Sequence, residues 1–252
     1  MGFDFQEHIL HHMQNSQEWH LPFLPPVHLL QPLSLHSLML LIAFVFLILL
    51  FCVLYRKDQA VPKGITNMLE AVVVYIRDEI CIVNLGEEDG RRMTPLFCTF
   101  FFFILCLNLM GLIPLFSTAT SNISVTGALA IITFCFMVFG SIYRHGVAGF
   151  FKSFVPSGIP LPVLFLIVPI EILGLFIKTF ALTIRLFANM LSGHVTIAAL
   201  LGLIILLGYV ALPMMFLALF IYLLEVLVVF IQAYVFTFLS AIFIGQMYHP
   251  EH

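Results

Sequence analysis

Residues 161–247 read LPVLFLIVPIEILGLFIKTFALTIRLFANMLSGHVTIAALLGLIILLGYVALPMMFLALFIYLLEVLVVFIQAYVFTFLSAIFIGQM, an apolar tract interrupted internally by Glu171, Lys178, Arg185, His194 and Glu225. At 1.5 Å of rise per residue the tract amounts to about 130 Å of helix, enough for two very long tilted helices or three ordinary ones. The best turn signal is Gly202 to Pro213, with Gly208 inside it, whereas a third helix requires a break near Arg185, where no Gly, Pro or turn cluster stands. The tract therefore predicts a long helical hairpin.

Outside the tract, uncharged runs of the length that crosses about 30 Å of hydrocarbon occur at Ser37 to Tyr55, Pro95 to Phe116 and Ile123 to Tyr143. Between the first two, residues 63–84 place Ile65, Met68, Leu69, Val72, Val73, Ile76 and Ile80 at helical spacing opposite Lys63, Asn67, Glu70, Arg77 and Asp78. That pattern predicts an amphipathic helix lying in the interface. The fold class expected is an all-α polytopic membrane protein with five crossings and one interfacial helix. Its divisions are an outer segment 1–36, peripheral membrane helices 37–160, an ion-handling hairpin 161–247 and an inner tail 248–252.

Composition agrees: 62% of the 252 residues are hydrophobic, 9% are charged and mean hydropathy is +1.13, values foreign to a soluble domain of this size. A net charge of -3 with no Lys/Arg-rich run excludes nucleic acid as a partner. Cys52, Cys98, Cys106 and Cys135 lie in apolar runs without CxxC spacing and read as packing thiols. The six histidines between His8 and His36 lack a fixed ligand spacing, so no metal or cofactor is expected. Residues 1–36 hold no Lys or Arg, while 56–92 hold six. The charge bias sets the N-terminus outside, the loop with Arg144 and Lys152 inside and the C-terminus inside. With no basic targeting segment ahead of the first span, a bacterial plasma membrane is expected.

An arginine amid apolar residues costs at least about 2.5 to 3.5 kcal/mol to insert, which makes Arg185 a functional residue by default. Glu171, Lys178 and Arg185 recur every seven residues on one helical stripe that Asn189 extends. Glu171 with Lys178 is either part of an ion path or a structural ion pair. Folding the hairpin near Gly208 sets Arg185 level with Gln232 and His194 level with Glu225. The histidine and the carboxylate then form either a proton-exchanging layer or a buried pair that fastens two helices. A fixed cation at mid-depth blocks a simple pore. The bottom-up reading is a channel half that needs a mobile acidic partner.

The run Arg185-Leu186-Phe187-Ala188-Asn189-Met190, continued by Leu191-Ser192-Gly193-His194, resembles the signature of subunit a of the F-type ATP synthase membrane sector. Asn108-Leu109-Met110-Gly111-Leu112-Ile113-Pro114 resembles the second-span motif of that family. Glu171, Lys178 and Gln232 stand at family positions too. The resemblance implies a non-catalytic stator subunit with two offset half-channels. Arg185 would separate them and engage a ring carboxylate, with His194, Glu225, Asn189 and Gln232 in the outer half and Glu171 toward the inner opening. His194 with Glu225 is the exchanged arrangement of acid and histidine, and Gly111 stands where some relatives carry aspartate. The partners implied are the c-ring, peripheral-stalk subunit b, the catalytic F1 head and membrane lipid. No phosphate-binding loop occurs in the chain. The competing function, a stand-alone proton-coupled secondary transporter, would show internal repeats, and none is seen.

Overall fold

The computed structural model describes residues 18–19, 27–28, 34–54, 64–113, 116, 118–155, 161–207 and 212–249. Six helices carry the fold: α1 (Leu35–Leu49), α2 (Ile65–Tyr75), α3 (Glu87–Leu112), α4 (Ile123–Lys152), α5 (Leu161–Leu207) and α6 (Leu212–Tyr248). α1 continues as a π-helical turn, Leu50–Leu54, and α2 as a π-helical stretch, Ile76–Ile82, closed by the helical turn Val83–Leu85. Before them stands a two-residue antiparallel pairing of Glu18 with His28 and Trp19 with Val27, the one feature among the described residues that departs from all-α.

Five helices, all but α2, are long and apolar enough to cross a bilayer, and the chain is a multi-pass membrane protein. α5 spans 47 residues and α6 37, about 70 and 55 Å of helix, longer than the hydrocarbon layer by enough to require tilting. α5 runs unbroken through Arg185 to Leu207, and α6 begins at Leu212, so the boundary between them falls inside the stretch Gly202 to Pro213 where the sequence signals a turn. α2 with its π-helical continuation buries a stripe of Leu69, Ile76, Ile80 and Cys81 and leaves Ile65 and Met68 exposed, as suits an interfacial helix.

Two elements differ from the sequence expectation. α3 begins at Glu87, eight residues before the apolar run, and carries Pro95 in its interior. α4 extends past Tyr143 to Lys152, so Arg144 sits on a helix rather than in a loop. The reason is the same in both: charge marks where a helix leaves hydrocarbon, and the helix continues into water as long as its own hydrogen bonds hold. Gly146, at φ +73°, breaks the helical path inside α4, a conformation glycine adopts at no steric cost.

The described chain divides into two compact units. The first comprises 1–55, 102–125 and 186–233. Leu35, Met39 and Ala43 of α1 pack there with Cys106, Leu107 and Ala119, and Leu112, Met190 and Val229 form a second cluster. The other unit comprises 56–101, 126–185 and 234–252. Within it Phe100 meets Phe236 edge to face at 5.7 Å, Thr133 Oγ1 lies 3.2 Å from Ser240 Oγ, and Ser141 donates to the Met247 carbonyl. Arg144 pairs with Asp89.

Candidate functional site: a polar layer in the helical hairpin

The first unit holds the C-terminal part of α5 and the N-terminal part of α6. Four of the six candidate residues fall there. Asn189 donates from Nδ2 to Gln232 Oε1 at 2.6 Å, tying the two helices across an apolar interface. Gln232 is 3% exposed and its Nε2 has no hydrogen-bond partner among the described residues. About two turns nearer the hairpin end, Glu225 is 6% exposed, and neither carboxyl oxygen has a hydrogen-bond partner among the described residues. It packs on the bare Cα of Gly193, where a β-carbon would collide with Oε1.

His194 follows Gly193 and is therefore level with Glu225, as the turn position predicts. The two side chains nevertheless take different partners: His194 Nε2 lies 2.9 Å from Thr118 Oγ1, on the segment between α3 and α4. Gln232 takes its bond from Asn189, four residues beyond Arg185 in the sequence of α5.

In the second unit, Arg185 is half-buried, and its Nη1 is buried without a hydrogen-bond partner among the described residues. Leaving a buried donor of a charged group unpaired costs more than the 1–3 kcal/mol typical of neutral groups. Lys178 does not pair with Glu171. It donates to Gln246 Oε1 at 2.8 Å and lies 5.5 Å from the centre of the Phe243 ring, both on α6. Two helical turns, about 10 Å, separate it from Glu171 along the axis, and Glu171 is exposed. No described cluster of His, Cys, Asp or Glu has the form of a metal site, and of the N-terminal histidines only His28 and His36 lie within the described residues.

Residues 37–245 match the ATP synthase A chain family. The chain belongs to that family. The protein described as ATP synthase subunit a of Anaeromyxobacter sp. (strain Fw109-5) is 46% identical over 217 residues, covering 84% of this chain and 53% of the relative. Subunit a of Myxococcus xanthus (strain DK1622) is 43% identical over 231 residues, 86% of this chain and 75% of the relative. ATP synthase subunit a 2 of Chlorobium luteolum is 41% identical over 255 residues, with 94% and 74% covered. The chain thus spans about half the length of the Anaeromyxobacter relatives and three-quarters of the other two. The family resemblance carried by the residues from Arg185 to His194 is borne out.

Three contacts escaped the sequence reading: Thr118 on His194, Gln246 on Lys178, and Asn122 on His36 at 3.2 Å. Thr118 lies in a short Ser/Thr-rich stretch that carries no periodicity, and only the tertiary fold brings it to His194.

Proposed function

We propose that the chain is the stator ion-channel subunit of a rotary F-type ATP synthase. It offers two offset proton half-channels to a ring of c subunits and so couples proton flow to ATP synthesis in the catalytic F1 head. The observation that carries this reading is the buried Arg185 Nη1, without a hydrogen-bond partner among the described residues. A cation retained in an apolar helix with no internal acid asks for a carboxylate from outside the chain, one that binds when ionised and departs into lipid when protonated.

The other residues fit that cycle. Glu225 and His194 supply titrating groups on the outer side of Arg185. Asn189 and Gln232 fasten the hairpin beside them, and Glu171 stands nearer the inner opening. Each elementary charge crossing 100 mV yields about 2.3 kcal/mol, so several protons must pass for each ATP. The chain catalyses nothing alone. Subunit b and membrane lipid complete its surroundings in a bacterial plasma membrane, with the N-terminus outside and the C-terminus inside.

Purification of the tagged chain from its native membrane in mild detergent tests the assembly. The expected result is a co-purifying ring of small proteolipids, each with an intramembrane carboxylate, together with ATPase subunits. Isolation as a free carrier without a ring contradicts the proposal.

A further inference from the structure

Residues 118–122, between α3 and α4, contact an imidazole at each end. At its far end Asn122 Oδ1 accepts the backbone N–H of Ser124 at 2.9 Å, which fixes the amide so that Nδ2 faces His36 Nδ1 at 3.2 Å. His36 is 3% exposed and opens the first span. Ala119 is buried against α1, and the turn closes on itself through Ser121 N–H and Oγ–H, both donating to the Thr118 carbonyl. At the near end, Thr118 is 7% exposed and presents its hydroxyl to His194 Nε2 at 2.9 Å.

What admits Thr118 to this position is Gly111. A β-carbon there would come within 2.8 Å of Thr118 Cγ2 and 3.2 Å of Met190 Cε, so the bare Cα is the seat for the threonine methyl. With the methyl seated, the hydroxyl points to the ring. A hydroxyl both donates and accepts, unlike the amides of Asn189 and Gln232, which cannot pass a proton on without rearranging. Thr120, in the same turn, is wholly buried and holds a hydroxyl with no hydrogen-bond partner among the described residues, a second proton-bearing group that packing alone does not explain.

We propose that Thr118 is a proton-path residue of the outer half-channel, handing protons to His194, and that Gly111 together with the His36 and Asn122 contact hold it in place. This rests on the proton-channel reading above. In the step, the Thr118 oxygen takes a proton from the water side and releases its own to an unprotonated His194 Nε2. One O–H bond forms as another breaks, and the hydroxyl is neutral before and after.

The test uses the assembled complex in membrane vesicles with the F1 head removed, reading passive proton conduction under an imposed potassium diffusion potential. Thr118→Val keeps the methyl on Gly111 and removes only the hydroxyl, while Thr118→Ser keeps the hydroxyl. The amount of assembled complex is matched in each preparation. Conduction is expected to fall roughly tenfold or more in Thr118→Val and to stay within about twofold of wild type in Thr118→Ser. Wild-type conduction in Thr118→Val, in vesicles where His194→Ala stops it, overturns this inference and leaves the channel reading intact. Equal loss in Thr118→Val and Thr118→Ser also overturns it, since the hydroxyl is then not what matters. Vesicles of the wild type that conduct no protons overturn the channel reading itself.

Discussion

Two glycines are the residues on which the site turns. Gly193 leaves room for the Glu225 carboxyl and Gly111 for the Thr118 side chain. Gly193→Ala is expected to displace the carboxyl and abolish most ATP-driven proton pumping while the chain still inserts, measured as pumping per assembled complex. Retained wild-type pumping would mean that the carboxyl does not need its place on Gly193. At Cys81, burial pushes the thiol up to about 12, and the thiolate is the reactive form. Alkylation at pH 8 is therefore expected to leave Cys81 unmodified in the folded protein and to modify it fully after denaturation, as read by mass spectrometry. The residues from Arg185 to His194 announced the site in the sequence because a charge within an apolar run has few structural explanations. Thr118 did not, since a threonine in a polar connection is unremarkable until the fold brings an imidazole to it.

At the scale of elements, the close approach of the interfacial stretch to the start of α3 decides how the second unit is built. Gly86, at φ +81°, reverses the chain after Val83–Leu85. A β-carbon on Gly90 would then fall 2.8 Å from the backbone of Cys81 and Ile82. Backbone cannot swing aside as a side chain does, so Gly90→Ala is expected to cost about 1–3 kcal/mol, seen as a lowered midpoint of thermal unfolding of the detergent-solubilised protein. An unchanged midpoint would show that the turn relaxes freely. The five long apolar helices and the interfacial helix were legible from periodicity and apolar length, as was the absence of a break at Arg185. Helix ends were not: Glu87 and Lys152 lie well past the apolar limits that Pro95 and Tyr143 suggested, because hydropathy reports the solvent around a helix and not its hydrogen bonding.

For the molecule as a whole, Arg185 is a charge whose buried Nη1 goes unanswered among the described residues. Four other cations find polar partners within the chain: Arg77 on Asp78, Arg91 on Glu87, Arg144 on Asp89 and Lys178 on Gln246. The sequence showed the missing acid at once, as no carboxylate stands three or four residues away from Arg185. It did not show that Asn189 and Gln232 would bond each other, a pairing that depends on where the hairpin turns. ATP-driven proton pumping by vesicles bearing the assembled complex with Arg185→Ala, recorded with passive proton leak beside wild type, tests the central claim. Lost pumping in an intact complex is the result expected if Arg185 receives the carboxylate of a mobile partner. Undiminished coupled pumping would contradict the account and make Arg185 a structural charge.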